Sequence, residues 1–167
     1  MGDCFPNPKL KSLRLIFRAS QHNFSAAEFH RHFDEVPHTL VLVRSEAGKT
    51  FVGYTPLKWR SNDKTFGEWG EDESGQSFLF SVDKRERYPV TDRKYSVRHH
   101  KDFGPIFGGN DLRLGDNCGV RDDRAECWFP FSYSDNNTYT RTDATQEELF
   151  GATTKVEGKK VLHFRVT

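Results

Sequence analysis

Cysteine is scarce: Cys4, Cys118 and Cys127 are the three in 167 residues. So odd and sparse a set builds no disulfide framework, and the thiols read as free cysteines of a reducing, cytoplasmic setting. The Asn136-Asn137-Thr138 sequon then has no use, because glycosylation needs a secreted chain. Long apolar runs are missing, and nothing approaches the roughly 18–20 residues of a membrane span. The start, Met1-Gly2-Asp3-Cys4-Phe5-Pro6, lacks the apolar core of a signal peptide, and Pro6 stands where a myristoylation signal carries Ser or Thr. Charge of one sign is missing as well: Lys and Arg total 25 and Asp and Glu 24, a net of +1. That balance argues against a dedicated nucleic-acid binder and against an acidic tail. Hydrophobic residues make up only 35%, which alone would suggest disorder. Against this stand 15 Phe, 5 Tyr and 3 Trp. Aromatic side chains bury roughly 150–250 Å² each, so the sequence reads as a folded chain with an aromatic core and a charged surface.

Residues 1–12 are polar, hold two prolines and read as a loose arm; residues 13–167 read as one domain, with no repeat or linker dividing them. The best helix signal is Ser25-Ala-Ala-Glu28, a capping box that predicts a helix over Ala26–Phe33 with Phe29 and Phe33 on one face. Strand patterns dominate beyond it. Thr39–Val43 is a continuous apolar run expected to be covered on both faces, with Thr50–Tyr54 as its hairpin partner. Ser77–Val82 reads as a further buried strand with Phe80 filling the core. Tyr95–Val97 and Asp111–Leu114 read as short alternating strands, with Ser96 and Arg98 outward. Val161–Val166 alternates with Leu162, Phe164 and Val166 inward. Residues 60–75, 115–128 and 134–148 read as polar loops. The expected class is mostly β, a two-layer antiparallel sandwich with a few short helices.

Signatures of chemistry are few. There is no nucleophile elbow and no phosphate-binding loop, and Gly104–Gly109 reads as a tight glycine loop. His22, His30, His32 and His38 cluster near the helix, and His99-His100 could approach Cys118 and Cys127. Neither group has the paired spacing of a zinc site, so no metal or cofactor is expected. Charge is patterned instead. Residues 60–75 hold two positive side chains (Arg60, Lys64) and five negative ones (Asp63, Glu68, Glu71, Asp72, Glu73), a net of −3. Lys84–Lys101 holds seven positive and two negative side chains, a net of +5, and would make one sheet edge cationic if alternation turns them outward. Edge-strand protection explains such charge equally well. As docking surfaces, the two stretches offer Glu68, Glu71, Asp72 and Glu73 on one side and Arg93, Lys94 and Arg98 on the other.

The order of several segments resembles the TLDc domain family, the oxidation-resistance domains. The match begins at Leu13-Arg-Leu-Ile-Phe-Arg-Ala-Ser20 and Phe24-Ser25, and continues through Thr39–Val43. It is carried further by Gly48–Thr55 with Trp59, Ser77–Val82, Gly104-Pro-Ile-Phe-Gly108 with Asp111-Leu112, and Phe129-Pro-Phe-Ser-Tyr133. It covers about residues 13–166. The signature positions are Gly53, Tyr54, Trp59, Phe78, Phe80, Gly104, Pro105, Phe107 and Asp111, whose residue types build a fold and not a catalytic site. Two departures stand out. Val52 occupies a position where the family often has glycine, and the last strand stops short of the family's acidic-aromatic finish.

The resemblance implies a β-sandwich, protection from oxidative damage, and binding to the vacuolar proton-pumping ATPase through its peripheral, cytosolic sector. It implies no catalytic constellation. Two other readings come from the residues themselves. One is thiol redox chemistry at Cys118 or Cys127, although no activating base is visible beside either. The other is a sandwich that binds carbohydrate or nucleic acid through Trp59, Trp69 and Trp128.

Overall fold

A computed structural model of the chain describes residues 12–45, 48–118, 125–134 and 158–166; of 125–126 and 158–166 only the backbone is described. The expected arm therefore lies almost wholly outside the described residues, as do 119–124 and 135–148 of the expected loops; within the loop expected at 115–128, Gly115 and Ala125–Glu126 are strand, because they are paired across a sheet.

The helix forms where the sequence caps it. Helix α1 spans Ala26–Phe33, and the Ser25 hydroxyl accepts from the Glu28 amide at 3.3 Å. The reciprocal half of the capping box is not made. Glu28 accepts from Arg31 at 2.8 Å instead, and the Ser25 amide donates to His22 O. Phe29 and Phe33 stack with ring centroids 5.0 Å apart on the buried face.

Strands follow in chain order as β1 (Leu13–Arg18), β2 (Thr39–Ser45), β3 (Thr50–Thr55), β4 (Glu68–Gly70), β5 (Phe78–Ser81) and β6 (Glu86–Pro89). Then come β7 (Val97–His99), β8 (Phe103–Phe107), β9 (Leu112–Gly115), β10 (Ala125–Glu126) and β11 (Gly158–Val166). They pair into a six-stranded sheet ordered β1-β11-β2-β3-β5-β6 and a five-stranded sheet ordered β10-β9-β8-β7-β4. Every named pairing is antiparallel. The architecture is the expected mostly-β sandwich.

The core lies between the sheets. Val41, Val43, Phe51, Leu79 and Tyr88 face it from the first sheet, and Val97, Phe107, Leu112 and Leu114 from the second. Gly53 sits in this inward row, opposite Val41 and Leu79. A Cβ there would lie 2.5 Å from the Phe107 ring, so close approach of the two sheets is what requires glycine. Its neighbour Val52 sits in ordinary strand. The outward row of the same sheet is buried too: Leu40, Val52, Tyr54 and Phe78 are all under 9% exposed. With Leu42 half-buried in the same row, β2 is largely covered on both faces, which is why it reads as an unbroken apolar run.

Four further expectations change. Phe80 shares the outward row with Phe78 and is half-buried, while Leu79 carries the core contact. The apolar residues 78–80 gave no polar position from which to read the facing. Leu79→Ala should therefore cost about 2–5 kcal/mol and clearly exceed Phe80→Ala in urea unfolding. Equal losses would show that the strand faces the other way. Residues 60–75 are not all loop, since Glu68–Gly70 forms the edge strand of the second sheet. Arg93–Tyr95 is a 3-10 turn and β7 starts only at Val97. Ser96 is buried because its hydroxyl donates to Arg93 O at 2.7 Å and accepts from the Asp72 amide. Finally, Gly104–Phe107 is strand; the turn that needs a left-handed glycine comes after it, at Gly108 with φ +60°. The expected inward residues Leu162, Phe164 and Val166 lie in β11, whose side chains are outside the described part.

Candidate interaction surface

The acidic and basic stretches meet. Strand β4 pairs with β7, matching Glu68 with His99, Trp69 with Arg98 and Gly70 with Val97. The sheet edge belongs to β4 from the acidic stretch, and the basic β7 lies one strand inside it. The expected cationic edge is thus replaced by a mixed-charge one.

Its members play unequal parts. Asp72 is 1% exposed and works inside the loop. It accepts from the Ser74 and Ser77 amides at 3.1 and 2.7 Å. Burial pushes its carboxyl up, but the hydrogen bonds from Ser74 and Ser77 outweigh that and hold it below the usual carboxylate range. Asp72 therefore leaves the set of docking residues. Glu68 accepts from Asn62 at 2.9 Å and lies 3.6 Å from the Lys64 ammonium. Arg93 donates to Glu73 O at 2.9 Å, and its own carbonyl accepts from the Asp72 amide. Arg98 lies 5.5 Å above the Trp69 ring and donates to Asn110 at 2.8 Å. Glu71, Glu73, Arg93 and Lys94 are exposed.

Two of the signature positions, Trp59 and Asp111, are buried and hydrogen-bonded inside the fold. Trp59 is 1% exposed and meets Phe29, Phe107 and His99 edge-on at 5.6, 5.6 and 6.1 Å. Its indole N–H donates to the Thr39 hydroxyl at 2.8 Å. Asp111 is wholly buried and accepts from the Phe131 and Ser132 amides at 2.5 and 2.9 Å. Burial raises its carboxyl to about 7 in spite of those bonds.

Sequence reasoning missed one cluster. His30 Nδ1 lies 2.7 Å from Asp34, and its Nε2 faces the carbonyls of His100 and Phe103 at 3.0 and 2.9 Å. Ser61 donates its hydroxyl to the other Asp34 oxygen at 2.5 Å. Ser, Asp and His thus share one hydrogen-bonded chain, with the carboxylate in the middle. In a nucleophilic triad the imidazole must touch the hydroxyl to take its proton. Here its far nitrogen points at backbone carbonyls, so the cluster clamps α1 to the segment after Trp59 and to the β7–β8 turn. Only the helical position of His30 hinted at it; Ser61 and the carbonyls are distant in sequence.

The two thiols among the described residues are withdrawn from solvent. Cys118 and Cys127 are buried, and Cys127 donates to Asp111 O. Burial pushes the Cys118 thiol up to about 12 and raises that of Cys127 too. Neither holds a useful thiolate fraction at neutral pH. Cys4 lies outside the described residues. Among the described residues no three His, Cys, Asp or Glu side chains converge as metal ligands. No helix among them is long and apolar enough to cross a membrane. Of the tryptophans offered for ligand stacking, Trp59 is core, while Trp69 and Trp128 are 41% and 37% exposed.

No curated protein matches the chain at significant similarity. The family model described as the TLDc domain matches residues 1–157, a span that holds all of these core and signature positions, and the chain belongs to that family.

Proposed function

We propose that the chain is a non-enzymatic protein-interaction module of the oxidation-resistance type, residues 13–167 forming one domain, and that its partner is the peripheral, cytosolic sector of the vacuolar proton-pumping ATPase. Family membership is the observation that carries this reading. The buried thiols and the Ser61–Asp34–His30 order favour it over thiol redox chemistry or hydrolysis. The exposed charges at the β4–β7 edge are its electrostatic contribution, and such charges act chiefly on association rate and on salt dependence.

The test is binding of the full chain to the purified peripheral sector at several salt concentrations. Lys94→Glu is the clean variant, because Arg93 also staples Glu73. Charge reversal at Lys94, alone or with Arg93→Glu, should weaken binding and lower its salt sensitivity. Unchanged binding in both variants removes this edge from the interface; no binding by the wild type removes the pump as partner.

A further inference from the structure

The fold packs tightly around the imidazole of His99. This residue lies on β7, in register with Glu68 of β4, and is 5% exposed. Trp59 meets its ring edge-on. Gly70 of β4 comes so close that a Cβ there would lie 2.8 Å from His99 Nε2. Among the described residues, His99 Nδ1 has no hydrogen-bond partner. A neutral ring tolerates such a place. An imidazolium carries a second N–H donor and a charge, and burying both uncompensated is costly. Charged groups face the ring from three segments. Arg60, just after Trp59, and His30 of α1 oppose a positive charge on it; Glu68 of β4 and Asp34, at the end of α1, favour one. Burial outweighs them all and lowers the imidazole from the ordinary 6.5 to about 4. The strand beside it is weakly held. Glu68–Gly70 is three residues long and forms the sheet edge, with β7 as its one neighbour. Such segments open at the low end of the local stability range.

We propose that His99 is an acid-operated release: when its ring takes up a proton, β4 leaves β7 while the rest of the sandwich stays folded. Of the groups packed on the ring, Trp59 is tied to α1 and to both sheets and cannot yield alone. The edge strand can. With β4 displaced, both ring nitrogens reach water and the new charge is solvated. Glu68 and Trp69 move away from Arg98 with the strand, so the mixed-charge edge exists at neutral pH and comes apart in mild acid. This holds whatever the edge binds. An exposed ring titrates near 6.5 and the packed one at about 4, so the closed state is fully stable above 6.5 and loses stability as pH falls towards 4. Asp111 acts on the whole fold in the opposite direction, so the release shows as a local difference between β4 and the inner strands.

Hydrogen exchange of the full chain, corrected for the intrinsic effect of pH, reads the release. Between pH 7.5 and 5 the amides of the β4–β7 ladder should lose roughly 20-fold in protection. Those of Val41 and Val43 in β2 should not fall with them. His99→Gln, uncharged throughout, should keep its ladder protection across the same range. No loss in the wild type, or a local loss that persists in His99→Gln, overturns the release. So does a loss shared equally by β2, which is unfolding of the whole domain. Imidazole NMR of the wild type serves where His99→Gln does not fold. A His99 midpoint well below 6.5, together with the local loss of protection, supports the release; an ordinary midpoint overturns it.

Discussion

Replacing Trp59 with alanine should cost about 3–5 kcal/mol of stability, read as a fall in urea midpoint at unchanged slope. The indole joins helix and both sheets: Phe29 belongs to α1, Phe107 to β8, and Thr39 to β2. Alanine removes the three edge-on ring contacts together and leaves a cavity that backbone from both sheets cannot close. It also strips the buried Thr39 hydroxyl of its donor. A domain is typically stable by about 5–15 kcal/mol, so the variant should be largely unfolded on mild heating. Trp59→Phe should recover part of the packing but not the hydrogen bond. A loss under about 1 kcal/mol for the alanine variant would mean that Trp59 does not hold the sheets together.

The second large effect is a pH dependence. Asp111 has its carboxyl raised from an ordinary 3.8 to about 7, first by burial, against the backbone amides that favour the charged form. The folded chain therefore binds a proton here more tightly than the unfolded chain. Stability from this group is complete below pH 3.8 and is lost as pH rises through about 7. Asp111→Asn is neutral throughout. Its amide NH₂ cannot accept from the second of the Phe131 and Ser132 amides, so at pH 5 it should be less stable by about 1–3 kcal/mol. Between pH 5 and 8 the wild type should lose stability that the variant keeps, and the two curves should converge. Parallel curves in denaturant unfolding across that range would show that Asp111 ionises normally in the folded chain.

The parts of the fold legible in the sequence were local ones. Ser25 with Glu28 marked the start of α1, and the aliphatic run of β2 announced a strand covered on both sides. Both signals act within a few residues. Positions decided by a distant partner were less legible. Asp72 looked like one more surface acid, because Ser74 and Ser77 capture it only once the loop folds. Glu68–Gly70 has no strand composition and becomes one only by pairing with β7. Phe80 and Leu79 are both apolar, so alternation could not assign the facing that Phe107 and the second sheet impose. Of the candidate surface, the exposed charges were named in advance. That the acidic and basic stretches would be stitched into one edge was not, because no sequence period encodes which strands become neighbours.

The place of β11 in its sheet bears on how the chain is made. It separates β1 from β2, so Leu13 finds its partner at Val166. During synthesis β1 and β2 each wait with an unpaired edge until every other described element has left the ribosome. Closure of the sheet must then be a late event at long sequence separation, the kind of contact that slows folding. Until that moment, two open strand edges are available to other chains, which makes the interval a window for aggregation and chaperone capture.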